Sequence, residues 1–534
     1  MSGSQGVDLS GGTIISFSNS GSINGSSNGV NVSWATIENL NNLGTINGSS
    51  SGVFVAGGNI KTLVNSGMIT TTSEDTFGAG IKLENGSTIE NIINAGTIQS
   101  NNLGMAVSWG KFGTLTIKDG GVIYGKTAGI TVGPWQTLGD LYIDGTSSKK
   151  DGTVSGIYSD NFGISLETGS SSQKIELVNG GIIKGKVHGI RLINSASLSG
   201  EMILSGEGSR VEGGSGSGIS NDGGKIEGSI TIKDGATVTA TSNQAISNSD
   251  SGSITGGITV SGENTKLEGN IINADSASIG SDIKIEDGAK VEGGLVNQGN
   301  GSISGSVQVS GGSSIDSITN EGNGAISGSI TVDKDSKLDS ITNTSTSDTG
   351  ISGSITNNSD NKLEISNSGN IGGKIESTGS ADMVISNSNG GTISGGISSS
   401  GSGNTSISNS QGSTINNGIT VSGSAQVEIS NQGSVGKDEN GNTVTNNGSG
   451  SVGIKDWVVS TDKDTGKLDT VVVGGSGKDN VKVENITVDQ SNVDLDELDN
   501  INHIISGVNQ GNIGNIGTNG SGEISLSYDP ITGK

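Results

Sequence analysis

Ile365-Ser-Asn-Ser-Gly-Asn-Ile-Gly-Gly373 returns with small changes as ISNSNGGTISGG from Ile385, ISNSQGSTINNG from Ile407 and ISNQGSVG from Ile429. Its asparagine falls at Asn297, Asn320, Asn343, Asn367, Asn387, Asn409 and Asn431, a recurrence of 20 to 24 residues. Upstream the phrase is looser. It carries Asn19 in FSNSGSING, Asn42 in LNNLGTING, Asn65 in LVNSGMIT and Asn94 in IINAGTIQ. Asp119 takes the slot in IKDGGVIYG, and Asn179 takes it in LVNGGIIKG. A fixed period of this length marks stacked repeats.

Each repeat holds short bursts of aliphatic residues. Val427-Glu-Ile429 shows a two-residue spacing, and Ile393 and Ile397 flank a Gly-Gly corner. Alternation of this kind signals strands, and the intervening Gly, Ser, Asn and Asp supply turns. Each burst buries only one or two side chains, too few for long hairpin arms. The sequence therefore predicts an all-β fold: a single right-handed parallel β-helix, or solenoid, of roughly 20 coils, one repeat to each coil. Ile303, Ile326, Ile351, Ile371, Ile393 and Ile415 should form one inward column. The recurrent Asn should stand at a corner, where its amide tolerates a left-handed backbone and can bond to its counterpart in the next coil.

The composition agrees. Of 534 residues, 95 are glycine, 29% are hydrophobic and 2% aromatic, too little apolar material for a spherical core. Helix formers are scarce. One short helix over Asn492–Asn500, with an acidic first turn and apolar residues at Val493, Leu495 and Leu498, is the one helical candidate; an acidic loop is the alternative. The formal net charge of −25 argues against nucleic acid and against adsorption to anionic lipid. Cysteine is absent, so disulfides and thiol chemistry are excluded. No stretch reads as a signal peptide or a membrane span.

Departures from the repeat divide the chain into three parts. Residues 1–165 form an N-terminal cap and irregular coils containing aromatics, 166–450 a regular aliphatic stem, and 451–534 C-terminal coils and a cap. Phe17, Phe54, Phe77 and Phe112 suit wider coils as core filling. Trp109, Trp135, Tyr142 and Tyr158 flank loop-like sequence and are the candidate ligand-binding residues, since exposed aromatics anchor partners and stack on sugars. Gly474–Lys482 reads GGSGKDNVK, one near-copy of a calcium-binding nonapeptide. Single copies do not build such a site, and a tight turn is the expectation. No metal and no cofactor is expected.

Catalytic constellations are scarce as well. His188 and His503 lie far apart, and neither sits in a metal-binding or triad motif. Asp140, Asp144, Asp151 and Asp160 cluster in the aromatic part. Paired carboxylates there would suit a polysaccharide-degrading enzyme, with Lys149, Lys150 and Lys126 nearby. The main expectation is that the chain is not an enzyme.

Taken together, the asparagine phrases, strands such as Gly301-Ser-Ile-Ser-Gly-Ser-Val307, the lack of cysteine and the acidic Gly/Ser/Asn/Thr composition resemble the passenger domain of bacterial type V autotransporters, the β-helical adhesin type. The likeness spans more than 400 residues. It implies export, display at the bacterial cell surface or secretion through the outer membrane, and adhesion to host cells or aggregation. The terminal barrel of such proteins is not read here, which fits an excised passenger without membrane insertion of its own. The protease subclass carries a serine motif that this chain lacks. The resemblance thus implies a surface adhesin whose partners are a host-cell surface protein or glycan, with self-association between stems. The alternatives are an inert spacer for a binding domain elsewhere and the carbohydrate-active enzyme.

Overall fold

The computed structural model describes residues 4–72, 78–148, 152–461, 466, 468–494 and 503–520. Phe77, Lys149, Lys150, Asp151, most of the proposed 492–500 helix and the strand expected after Gly522 lie outside the described residues. The fold is an all-β parallel solenoid of about 19–20 coils, as the repeat predicts. Two compact units divide it, Met1–Leu295 and Val296–Lys534.

In the N-terminal unit a coil has three strands on three faces. One coil runs Asn28–Ser33, Thr36–Asn42 and Thr45–Gly48; the next runs Ser51–Ala56, Asn59–Asn65 and Met68–Thr71. Each strand pairs in parallel with its counterpart, with Val30 on Val53, Ile37 on Ile60 and Ile46 on Ile69. These side chains are fully buried, so every coil stacks the same aliphatic columns. Full burial of one such side chain contributes about 1.5–3 kcal/mol.

The C-terminal unit keeps the plan with shorter strands. Ile303 pairs with Ile326, which bridges to Ile351, then Ile371, Ile393 and Ile415, in one column with no exposed surface. This is the column the sequence predicts. At its C-terminal end the asparagine phrase stops because an indole takes the position: Trp457 pairs with Asn431, is fully buried, and donates its Nε1–H to the Asp469 carbonyl at 3.0 Å.

The asparagines do form ladders. Asn297 Nδ2 donates to Asn320 Oδ1 at 2.8 Å, and the same bond recurs through Asn343, Asn367, Asn387, Asn409 and Asn431. A second ladder links Asn19, Asn42, Asn65 and Asn94, each step 2.8 Å. A third links Asn221, Asn248 and Asn273, whose phrases ISNDGG, ISNSDSG and IINADS carry the same Ile-x-Asn. The second and third stand at different corners. Asn94 ends a second-face strand and is followed in register by Ile117 and Ile143. Asn221 stands next to last in the first-face strand Ile219–Asp222 and pairs back to Leu192.

Three expectations are corrected. The ladder asparagines are buried strand ends and do not adopt the left-handed backbone; that conformation belongs to turn residues such as Asn85, Asn389 and Asn417. Asp119 and Asn179 are left-handed turn residues too, exposed, and members of no ladder. Among the phenylalanines, Phe112 fills the column after Ile89 and Phe17 points inward in the outermost coil, paired with Leu40. Phe54 instead points outward between Asn31 and Lys82, because its neighbours Val53 and Val55 take the inward sites. The phrase's glycine has its own reason. A Cβ on Gly67 would collide with the carbonyl oxygen of Gly44 one coil below, so the coils can close at this corner only without a side chain.

Candidate functional site

Three of the corners between the first and second strands of the N-terminal coils carry a tryptophan each. Trp34, Trp109 and Trp135 are 72%, 64% and 74% exposed, in a molecule whose other large apolar side chains are mostly buried. Their backbones belong to one stack of corners. Trp34 N–H donates to the Ala56 carbonyl (3.1 Å), Gly86 N–H donates to the Trp109 carbonyl (2.9 Å), and Trp135 N–H donates to the Thr168 carbonyl (3.1 Å). Trp34 and Trp135 are left-handed, with φ of 52° and 64°. That conformation is costly for a bulky residue and turns the indole along the stack.

In both cases a glycine receives the ring. The Cβ position of Gly57 lies 2.6, 2.7 and 2.8 Å from Cε3, Cζ3 and Cδ2 of Trp34. Trp135 covers Gly169 of its next coil in the same way. One indole face rests on backbone and the other faces solvent. Gln136 ties two of the corners together. Its Oε1 accepts the Gly110 N–H at 2.6 Å, and its Nε2 donates to the Pro134 carbonyl at 2.9 Å.

Of the four predicted ligand residues, the structure brings Trp109 and Trp135 together on adjacent coils. Tyr142 stands on the second face between Thr116 and Glu176. Tyr158 stands on the third face between Tyr124 and Lys184. Its hydroxyl donates to the Val154 carbonyl at 3.2 Å, tying down the end of the excursion that begins after Asp144. Burial pushes both tyrosine hydroxyls up from their ordinary range. Trp34 completes the corner and was not singled out by sequence. The signal was present: Val32-Ser-Trp-Ala-Thr-Ile37 and Val107-Ser-Trp-Gly-Lys-Phe112 share one pattern.

The carboxylates occupy separate places. Partial burial raises the Asp144 carboxyl, but hydrogen bonds from Thr146 and Asn179 outweigh it and hold it low. Asp160 accepts from Lys186 at 2.8 Å and from Tyr124 at 3.2 Å, which also hold it below the usual range. Asp140 lies at the kink between Thr137–Leu138 and Leu141–Asp144. A closer pair is Asp222 and Asp250 on neighbouring coils, where a hydrogen bond and charge from Asp222 raise the Asp250 carboxyl. On the first face, Phe162 stacks on His188 with centroids 6.0 Å apart. Arg191 lies 3.9 Å over that phenyl ring and pairs with Glu167 at 3.0 Å. Burial, then the Arg191 charge, push the His188 imidazole down, while the Ser217 N–H bonds its Nδ1 at 2.9 Å.

No family model, no curated protein and no solved structure matches the chain. Among the described residues no group of three or more His, Cys, Asp or Glu side chains is placed to hold a metal ion. Gly474–Lys482 forms a strand end and a 3-10 turn over Lys478–Asn480, and the Asp479 carboxylate accepts from Asn509 at 3.0 Å. No helix of the described residues is long and apolar enough to cross a membrane.

Proposed function

We propose that this solenoid is a surface-displayed bacterial adhesin, the passenger of an autotransporter, that binds a host-cell or glycan ligand through the tryptophan corner. The observation that supports the reading is the exposure of Trp34, Trp109 and Trp135 on one edge of a scaffold whose other outward positions are mostly small and polar. Holding a tryptophan in a left-handed corner costs backbone energy, and so does leaving its ring in water. Binding a partner offsets both. Export and display are what the resemblance to autotransporter passengers implies, and the low-complexity acidic repeat without cysteine supports that reading. The stem then acts as spacer, and contact between stems adds aggregation.

The experiment is attachment of fluorescent beads bearing the full chain to cultured epithelial cells. Attachment should fall at least about fivefold when Trp109 and Trp135 are both changed to Leu, the effect of removing a binding hot spot. Wild-type beads that never attach above bare beads would leave the inert spacer as the better account.

A further inference from the structure

Resting on the adhesive reading of this edge, we propose that its ligand is an uncharged glycan chain, lying along the stack of corners with successive sugar rings on the indole faces. Trp34 and Trp135 are built as platforms. Each ring is supported from behind by a left-handed glycine, Gly57 with φ 64° and Gly169 with φ 66°, where no side chain could stand. Two occurrences of one device, in coils far apart in sequence, set these residues apart from a chance exposed tryptophan. The support holds the ring flat before a ligand arrives, which lowers the ordering cost of binding.

A flat, one-sided aromatic face selects ligands with a flat apolar face of their own. The C–H face of a pyranose ring meets that requirement, while its hydroxyls need hydrogen-bonding groups at the rim. Ser33, Ser108 and Lys111, beside the corner in sequence, carry such groups. Spacing fits as well. Trp109 and Trp135 sit on adjacent coils about 4.8 Å apart along the stack, close to one sugar unit, and Trp34 lies three coils earlier, about 14 Å away.

Charge completes the argument. The corner residues Ser33–Ala35, Ala56–Gly58, Ser108–Gly110 and Gly133–Gln136 carry no charge in a chain of net −25. The carboxylates that flank the corner are paired, Glu84 with Lys82 at 2.8 Å and Glu167 with Arg191 at 3.0 Å. A polyanionic glycan would meet the field of the whole molecule, with Lys111 beside the corner to receive it. A neutral chain meets no such obstacle.

The test uses the intrinsic fluorescence of the full chain. Of four tryptophans, Trp457 is buried and the other three are exposed, so the wavelength shift reports the corner. The protein is titrated with neutral oligosaccharides of glucose, galactose, mannose and N-acetylglucosamine, and with oligogalacturonate and heparin fragments. At least one neutral series should shift emission to the blue, with affinity rising with chain length. Trp135→Leu and Trp34→Leu should each weaken binding at least fivefold with unchanged circular dichroism. Gly169→Ala keeps all four indoles but lifts one platform, and should weaken binding too. Gly412→Ala adds the same left-handed strain where nothing lies within 4 Å, and should not. Preference for the charged fragments, or equal binding by Gly169→Ala and wild type, overturns the inference. So does bead attachment to cells that depends on the tryptophans while no sugar binds, which would make the ligand a protein and leave the adhesive reading standing. Sugar binding without cell attachment would sink the adhesive reading and leave this inference intact.

Discussion

The buried amide of one asparagine shows what the repeat is for. Asn409 accepts from Asn387 at 2.9 Å, donates to Asn431 at 2.7 Å, and donates to the Ser413 and Ser434 carbonyls at 3.4 and 3.1 Å. A coil corner leaves carbonyls pointing inward, and the amide satisfies them from within while pinning the register of the next coil. Asn409→Ala would strand the Asn431 Oδ1 without water, at a cost of about 1–3 kcal/mol. Hydrogen exchange should show the loss in Thr405–Asn409 and Val427–Asn431 and little change in the N-terminal unit. Protection identical to wild type in both strands would reduce the ladder to ornament. Sequence revealed that the asparagine recurs and that it can ladder. It did not reveal the backbone state, because Asn serves equally in left-handed turns, as Asn417 does, and in buried strand ends.

At the scale of the strand and coil, alternation was enough to place the inward residues. The column from Ile303 to Ile415 needed only the spacing and the knowledge that coils stack. Ile393→Ala opens a gap between Ile371 and Ile415 and should cost about 2–5 kcal/mol, less where the neighbours settle into it. Because each coil touches only its neighbours, the damage should stay within a few coils, read as raised exchange around Thr392–Ile393. The corners were harder to read. A corner residue is specified by its backbone and by what the next coil brings, and Gly57 and Gly169 lie outside the tryptophan motifs that they support. Phe54 was misplaced because size suggested a core role, whereas the parity of its strand decides the face. A third consequence concerns acid. The folded His188 pKa lies below its ordinary 6.5, so the unfolded chain takes up the proton first. Stability therefore falls as pH drops through about 6.5, and the full penalty remains below the folded value. Amide protection in Phe162–Leu166 and His188–Ile193 should be lower at pH 5.5 than at 7.5. His188→Asn should flatten that difference; an unchanged difference in the variant would assign it to other groups.

For the molecule as a whole, charge and the tryptophan corner pull contact in different directions. The ion pairs on the outward faces, such as Lys61 with Glu38 and Lys455 with Glu484, are exposed and add little stability. They neutralise part of the acidic surface, yet a net −25 remains. Two copies brought side by side must overcome that repulsion, whose range shrinks from about 30 Å at 0.01 M salt to about 8 Å at 0.15 M. Contact at the uncharged corner has no such term to overcome. The excess of carboxylates was legible in composition alone; the corner was not, because its three tryptophans come onto one edge only through stacking. The two modes of contact then separate by salt. Beads carrying the full chain should clump with one another more as salt rises through this range, and Trp109→Leu with Trp135→Leu should leave that clumping as it is. Attachment of the same beads to cells should vary by less than about twofold with salt and should be lost in the double variant. If cell attachment instead weakens steeply with salt, it rests on charge, and the tryptophan corner is not where this molecule holds its ligand.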